Sequence, residues 1–462
     1  MELTRAVCDR ARQARDARFD GRFFIAITST KIYCRPICPA GPAKPAHILY
    51  FPSAAAAAEA GFRPCLRCRP ETSPGTPAWL GTSVSVSRGL KLISEGALDE
   101  TSVDQLAERL GLGARHLRRM FLQHLGATPI AVAQTRRVHF AKKLIDETDL
   151  PMTQVAMASG FGSIRRFNAT FQKLYGRSPG DLRRSTARER TANEAGVYTF
   201  RLGYRPPYNW ASIIGFLGQR AIPGVETVTL DEYRRTISLD GKTGFISVRP
   251  VFQKNYLELR IEFPEPAALF RIVERVRNIF DLRADPNDVD EHLRRDARLK
   301  PMVQNQAGMR VPGCWDGFEI AVRAVLGQQV SVKGATTMAG RLVAEFGGAK
   351  IFPEADALAE ADLARIGLTR QRAETIRQLA SSVARGDVSF NTSLGLEAFE
   401  QRMIALPGIG PWTAQYIGMR IGEPDAFPTG DLYLRSFAKE SEAWRPWRAY
   451  AAMYIWNGAH NV

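Results

Sequence analysis

The 462-residue chain lacks any apolar run of about 18 residues, so no segment reads as a membrane-spanning helix. Its opening stretch, MELTRAVCDRARQARDARFDG, is charged throughout and lacks the apolar centre of a secretory signal peptide. The expected location is therefore the cytoplasm. Acidic residues are in deficit: 47 Asp and Glu stand against 63 Lys and Arg, a formal net charge of +16. That imbalance points to a polyanionic partner, nucleic acid ahead of an anionic membrane, with charge kept for solubility as the plainer alternative. Cysteine is scarce, six in all, which excludes a disulfide-dense scaffold. Internal repeats are absent apart from one pair of helix–glycine–helix units.

What is present is an ordinary globular mixture long enough for roughly three domains of about 150 residues. Three textures follow one another. Residues 1–77 hold a cysteine cluster and end in the turn-rich stretch RPETSPGTPAW. Residues 78–187 are helical in pattern and strongly basic. A charged stretch, STARERTANEAG (185–196), reads as a linker. Residues from 197 onward begin with strand-like alternation, as in YLELRIEF, where Leu257, Leu259, Ile261 and Phe263 share one face. Asp240–Gly241 marks a hairpin turn, and Ala267 to Phe280 has helical periodicity. SAAAAAEAG (53–61) reads as one short helix.

Four cysteines form the spacing Cys34-x3-Cys38 and Cys65-x2-Cys68, two short chelate loops that can deliver four thiolates tetrahedrally to Zn2+. A purely structural zinc site is the plainer reading. The segments FDGRFFIAITSTKIYCRPICPA and AGFRPCLRCRP resemble the N-terminal domain of the Ada family of alkylation-response proteins. The resemblance implies that Cys34 accepts a methyl group from a DNA methyl phosphotriester, with Cys38, Cys65 and Cys68 completing the metal site. Zinc keeps a thiol as thiolate, a soft nucleophile suited to a methyl carbon. The product is a thioether, so transfer is stoichiometric. Four thiolates on zinc carry about −2, and methylation of one leaves about −1. Methylation of Cys34 is therefore expected to strengthen DNA binding.

In the basic module Val103, Leu106 and Leu110 recur at helical spacing behind a Ser102/Gln105 capping box, and Gly111 and Gly113 break the pattern before Leu117, Met120 and Phe121 resume it. The outline repeats at Val155 and Ala158, Gly160–Phe161–Gly162, then Ile164, Phe167, Phe171 and Leu174. The two units are joined by QTRRVHFAKKLI. The stretches LAERLGLGARHLRRMFLQHLGATP and VAMASGFGSIRRFNATFQKLYGRSPGDLR resemble AraC-type DNA-binding domains. This implies two recognition helices, starting near Ala114 and Ser163, in successive major-groove faces of promoter DNA. Arg115, Arg118, Arg119, Arg165 and Arg166 are the expected DNA contacts, to phosphate or to guanine edges. Gly113 departs from the family, which often caps that helix with serine.

Further on, Leu396, Phe399, Met403 and Leu406 form a helical stripe ahead of Pro407–Gly408–Ile409–Gly410, a tight hairpin before a second helix. Backbone N–H groups there suit a DNA phosphate, with Gly408 and Gly410 permitting close approach. Asp431 follows Gly410 by 21 residues, in a Gly-Asp step. Together with YRPPYNWASIIGFLGQRAIPGVE, VPGCWDGFEIAVRAVLGQQVS and WRPWRAYAAMYIW, this resembles the AlkA-type 3-methyladenine DNA glycosylases of the helix-hairpin-helix superfamily. The resemblance implies that Asp431 is the catalytic carboxylate. It implies that Phe216, Trp412, Tyr416 and Trp456 wall the pocket of a flipped base, and that backbone carbonyls near the hairpin hold a monovalent cation. As isolated aromatics these four would read as core. Gln329, beside Gln328, stands where the family wedges an apolar residue into the DNA. Asp431 is followed by Leu432–Tyr433, where the family has the aromatic first, and the interval to WRPWRAY is short. No Pro-Cys-His-Arg motif occurs, so the second methyltransferase of full-length Ada proteins is replaced by the glycosylase-like region.

The expected architecture is multidomain α+β. It comprises a small zinc-bound α+β domain (1–77), an all-α double helix-turn-helix domain (78–187), an AlkA-like β-rich subdomain (197–310) and an α-helical helix-hairpin-helix domain (311–462). The expected partners are double-stranded DNA bearing alkylated bases or methyl phosphotriesters, promoter DNA and RNA polymerase, at the nucleoid and not at a membrane. The expected function is excision of alkylated bases coupled to methyl sensing and transcription regulation. The alternative is a regulator whose glycosylase-like region only binds DNA.

Overall fold

A computed structural model describes residues 3–41, 43–75, 84–186, 196–348 and 350–459. The expected boundary at 77/78 and residues 187–195 of the expected linker lie outside the described residues. The chain forms two compact units. One comprises Met1–Pro206, Val251–Glu274 and Leu282–Asp285; the other comprises Pro207–Pro250, Arg275–Asp281 and Pro286–Val462. No described helix is long and apolar enough to cross a membrane.

The first unit opens with a four-stranded sheet in the order Ile48–Phe51, Phe24–Ile27, Ile32–Cys34, Arg63–Pro64. The first three strands pair antiparallel, and the last runs parallel to Ile32–Cys34. The alanine-rich stretch forms the helix Ala54–Glu59, capped by the Ser53 hydroxyl on the Ala56 N–H. Eight helices follow among the described residues, from Val84–Ser94 to Pro179–Thr186. Ser102 and Gln105 make the expected capping box on Val103–Arg109. Gly111 and Gly160 take the left-handed conformation (φ +67° and +79°) that turns each unit toward its second helix.

The helix Pro129–Glu147 joins the two units of the basic module, and its lysines are not a solvated face. Lys142 and Lys143 are each 2 % exposed. They pair with Asp146 (2.5 Å) and Glu147 (2.8 Å) one turn on. Arg69 adds ion pairs to Asp146 (2.9 Å) and Glu147 (3.4 Å), and the Lys143 ammonium donates to the Arg201 carbonyl at 2.6 Å. Buried charges of this kind cost stability unless every partner is present. Arg201 belongs to the strand Val197–Gly203, which pairs antiparallel with Tyr256–Glu262. In that second strand Leu257, Leu259 and Ile261 are buried while Glu258 and Arg260 face outward, as the alternation predicts.

In the second unit, Glu226–Val228, Tyr233–Leu239 and Lys242–Val251 form an antiparallel meander. The turn lies at Asp240–Gly241, both with positive φ (+52° and +71°), the combination a two-residue hairpin needs. Helices Gly317–Leu326, Val332–Phe346, Arg370–Ala384, Leu396–Ile404 and Pro411–Arg420 enclose an apolar core containing Phe318, Leu342, Ile376, Phe399 and Ile417. Beside it lies a buried polar cluster. Arg235 meets Glu319 at 2.7 Å, Arg323 meets Glu319 (3.1 Å) and Glu226 (3.3 Å), and the Tyr233 hydroxyl donates to Glu226 at 2.6 Å.

Candidate functional site

The thiols are gathered by short-range register. Strand Ile32–Cys34 ends on Cys34, opposite Ile25. The parallel strand brings Cys65 beside it, with the Cys65 N–H on the Tyr33 carbonyl at 2.9 Å. A turn from the Arg35 carbonyl to the Cys38 N–H (3.1 Å) folds Cys38 back, and one from the Cys65 carbonyl to the Arg69 N–H (3.1 Å) closes around Cys68. The four Sγ atoms all lie within 4.8 Å of one another. Four converging soft donors fit zinc. Arg35 braces the cluster: its N–H approaches Cys68 Sγ at 3.4 Å, and its guanidinium pairs with Asp20 and donates to the Cys68 carbonyl (3.1 Å) and Thr72 Oγ1 (2.6 Å). Cys65 and Cys68 are buried, whereas Cys34 and Cys38 are half-buried and border a cleft shared with Arg12 and Arg15. A reagent arriving from solvent therefore meets Cys34 and Cys38. The hydroxyl of Tyr33, the residue before Cys34 in sequence, is 2.9 Å from His139 Nε2, and burial lowers that imidazole to about 4.

The expected recognition helices are Ala114–Leu125 and Ile164–Tyr175. The first buries Leu117, Phe121 and Leu125, the second Phe167, Phe171 and Tyr175, one residue per turn. That orientation leaves Arg115, Arg118, Arg119, Arg165 and Arg166 exposed. None of the five pairs with a carboxylate among the described residues, and Arg119 lies 3.0 Å from His116 Nδ1. Five unneutralised guanidinium groups are available to phosphate or guanine. Ser163 caps the second helix through the Arg166 N–H, but Gly113 offers the first no side-chain cap.

In the second unit, a cavity of about 230 Å³ is lined by Trp412, Tyr416, Asp431 and Trp456, with Arg220 and Arg323. Trp412 and Tyr416 stack at 5.5 Å and 8° between ring planes, one turn apart on Pro411–Arg420. Phe216 and Trp456 stack at 6.5 Å, and Trp456 lies 6.5 Å from Tyr416. The four aromatics drawn from distant motifs thus stand together. Trp456 also donates its indole N–H to Asp431 Oδ1 at 3.0 Å. That oxygen further accepts from the Tyr433 and Leu434 N–H groups (2.9 and 3.3 Å). All three bonds fall on Oδ1, so Asp431 caps a turn with one oxygen and keeps the other free of described donors.

The hairpin connects Leu396–Ile404 to Pro411–Arg420, whose N-cap is Gly410. Gly408 has φ +84°, and a Cβ there would collide with the Thr375 hydroxyl; at Gly410 a Cβ would meet nothing. Gln329, with φ +54°, is exposed on the loop after Leu326. Gln328 is used inside the protein: its amide donates to the Gly408 carbonyl (2.9 Å) and Thr413 Oγ1 (3.2 Å), and Arg372 holds its carbonyl.

Sequence reasoning passed over two arginines that pack against these aromatics. Arg220 lies four residues after Phe216, and Arg420 lies four after Tyr416 and eight after Trp412. Helical spacing alone places each on the aromatic face.

Family models match residues 7–71 (the metal-binding domain of Ada), 106–185 (a helix-turn-helix domain), 199–316 (the AlkA N-terminal domain) and 322–454 (the HhH-GPD superfamily of base excision DNA repair proteins). A Mycobacterium tuberculosis protein named probable bifunctional transcriptional activator/DNA repair enzyme AlkA is 40% identical, over 97% of this chain and 95% of its own. DNA-3-methyladenine glycosylase 2 of Escherichia coli is 31% identical over 56% of this chain and 96% of its own. A bifunctional transcriptional activator/DNA repair enzyme of Bacillus subtilis, AdaA, is 30% identical over 38% of this chain and 82% of its own. With a relative this similar from end to end, the chain belongs to the AlkA family of bifunctional transcriptional activator/DNA repair enzymes.

Proposed function

We propose that this protein excises alkylated bases from double-stranded DNA as a 3-methyladenine-type glycosylase, and that the same chain accepts methyl groups from DNA phosphotriesters and regulates promoters. One observation carries the glycosylase reading: a carboxylate with one oxygen clear of described donors, Asp431, borders a cavity walled by Trp412, Tyr416 and Trp456, with Phe216 stacked on Trp456. In this reading the flipped base enters among Phe216, Trp412, Tyr416 and Trp456, whose faces attract electron-poor and cationic rings. The C1′–N bond breaks with its electron pair going to the base. The Asp431 carboxylate stabilises the positive charge left on the sugar, water adds at C1′, and its proton ends on the departed base or in solvent. Trp456 and the turn N–H groups hold Asp431 by Oδ1, so the reacting oxygen is Oδ2.

In the methyl-acceptor reading, Cys38, Cys65 and Cys68 hold zinc with Cys34, and the metal supplies a stable thiolate at neutral pH. Cys34 Sγ attacks the methyl carbon, an S–C bond forms, and the C–O pair returns to the phosphate as an ordinary diester. The exposed arginines of the two recognition helices would hold promoter DNA, RNA polymerase would be the activator's partner, and the nucleoid its place of work. Backbone carbonyls at the hairpin would hold a monovalent cation beside the DNA. Domain limits of 1–77, 78–187, 197–310 and 311–462 accompany this proposal.

The test is base release from methylated duplex DNA by the full chain and by Asp431→Asn. Release by the wild type and a loss of about 10³-fold or more in the variant are expected. Absence of release by well-folded wild type leaves the second unit as a DNA clamp for a regulator.

A further inference from the structure

The cleft that Cys34 and Cys38 border has a volume of about 430 Å³, an apolar lining that includes Ile25, Ile27 and Ile48, and two arginines, Arg12 and Arg15. The two differ in what holds them. Arg12 is committed within the protein, to Asp9 at 3.8 Å and to the Tyr50 hydroxyl at 3.3 Å. Arg15 is exposed and has no carboxylate at ion-pair distance among the described residues. Its Nη2 donates to the Pro39 and Ala40 carbonyls (3.4 and 3.5 Å), on the loop that follows Cys38, which leaves N–H donors to spare. The backbone beneath it is unusual. Helix Arg5–Gln13 ends in a turn closed by the Asp16 N–H on the Ala11 carbonyl (2.9 Å) and the Arg15 N–H on the Arg12 carbonyl (3.2 Å), which puts Arg15 in the left-handed region with φ +50°. Glycine is the ordinary occupant of that position, because a Cβ is disfavoured there. An arginine here sacrifices stability for a side chain, and that side chain lines the cleft of the two accessible thiols.

We propose that Arg15 is the phosphate-binding residue of the methyl-acceptor site, holding the phosphodiester that departs as Cys34 takes the methyl group. The inference rests on the methyl-acceptor reading above and adds the residue that handles its leaving group. A methyl phosphotriester is uncharged, which suits an apolar cleft. As the bond from Cys34 Sγ to the methyl carbon forms, the C–O bond breaks and its electron pair goes to the phosphate oxygen. A diester anion thus develops beside ionised thiols that repel it. A guanidinium with no carboxylate of its own answers that charge as it develops, through N–H bonds to the phosphate oxygens. Arg12 and Arg35 are already matched by Asp9 and Asp20.

The experiment compares two methyl donors on the full, zinc-loaded chain. One is a duplex carrying a methyl phosphotriester; the other is the trimethylsulfonium ion, a cation whose leaving group, dimethyl sulfide, is neutral. Transfer to Cys34 is read by peptide mass for wild type, Arg15→Gln and Arg15→Gly, each first checked for zinc content and melting temperature. Arg15→Gly removes the side chain while favouring the left-handed backbone, so a loss in it is not a loss of fold. Both variants are expected to slow transfer from the duplex by about 10-fold or more and to speed transfer from trimethylsulfonium by about 2-fold, since a charge that repels the cation has gone. Duplex affinity supplies a readout apart from transfer: the slope of log affinity against log salt should fall in magnitude by about one in each variant. Equal slowing with both donors overturns the inference, since an arginine that merely braces the Cys38 loop acts on both alike; so does an unchanged ratio of the two rates or an unchanged salt slope. Wild type that takes methyl from trimethylsulfonium but not from the duplex overturns the methyl-acceptor reading itself, an outcome distinct from these.

Discussion

The four thiols of the metal centre come from 35 residues of chain, 34 to 68, whereas Phe216, Trp412, Tyr416, Asp431 and Trp456 are gathered from 241. The thiols are set by strand register and two tight turns, so neighbours in sequence become neighbours in space. The base pocket depends on helices from opposite ends of its unit packing side by side. Their electrostatics differ as well. The cluster concentrates negative charge once its thiols ionise, and Arg35 answers it with an N–H and a guanidinium held by Asp20. The pocket concentrates positive charge around one carboxylate. A locally built site is fragile to loss of its ligand; an assembled one is fragile to loss of its core.

The largest expected effect follows from that difference. Structural zinc can contribute about 10–16 kcal/mol to folding a small domain. Chelation, or Cys65→Ala, should therefore abolish amide-exchange protection in Phe24–Ile27 and Ile32–Cys34 while leaving Leu396–Ile404 and Pro411–Arg420 protected. Equal loss in all four elements would break the comparison.

Acidity should separate the two units next. His139 is lowered to about 4 by burial, so its contribution is complete above about 6.5 and is lost as pH falls through about 4. Asp281 runs the other way: burial raises it to about 6, against Arg310 and the hydrogen bonds from Tyr450 and Val311. Its contribution is complete below about 3.8 and is lost as pH rises through about 6. Each is of order 3 kcal/mol, at about 1.4 kcal/mol per pH unit. Urea unfolding of His139→Gln and Asp281→Asn from pH 4.5 to 8 measures both. Asp281→Asn should gain on wild type as pH rises, and His139→Gln should gain as it falls. Thiolate protonation pushes the first unit in the same direction as His139, so the difference between variant and wild type is the reading that counts.

The hairpin allows fold and ligand to be told apart within one motif. Gly408→Ala needs a positive φ and collides with Thr375, so a loss of about 1–3 kcal/mol in stability is expected. Gly410→Ala meets nothing in the protein and should unfold as wild type does. A fall in duplex affinity for Gly410→Ala alone would mean that DNA, not the fold, requires the absent side chain. A fall in its stability would remove that distinction.

What was legible in the sequence follows the same division. The cysteine spacing, the Ser102/Gln105 box, the Asp240–Gly241 turn and the alternation of Tyr256–Glu262 each act within a few residues, and each was readable. The aromatics of the pocket were readable only through motif resemblance, because nothing local distinguishes Phe216 or Trp456 from core. The basic stretch around Lys142 is legible in the sequence only as the join between the two helix-turn-helix units. Its lysines are buried because Asp146, Glu147 and the distant Arg69 complete a charge network that composition does not show. Resemblance places Gln328 with Gln329 at the expected DNA wedge, and the structure adds that the Gln328 amide is held by Gly408 and Thr413, some 80 residues on in sequence. Arg220 and Arg420 were the opposite case: their helical spacing was available and went unused.

The smallest expected effect tests the likeness of the two helix-turn-helix units. Their second helices are both 12 residues long, each buries three residues at one-turn intervals, and both end on a left-handed glycine, Gly126 and Gly176. They differ at the start. Ser163 accepts from the Arg166 N–H, whereas Gly113 leaves the first-turn N–H groups of Ala114–Leu125 without a side-chain acceptor. Gly113 already has the extended φ and ψ of an N-cap (−79° and 145°), and a Cβ there would meet nothing, so serine fits without strain. Gly113→Ser should stabilise by a few tenths of a kcal/mol, and Ser163→Gly should cost a similar amount. Thermal unfolding of the two variants and of their combination measures this. A stabilised Gly113→Ser that binds promoter DNA more weakly would mean that the bare N–H groups there are kept for a DNA phosphate at the expense of stability. The two halves of the module would then differ in what their first turns are for.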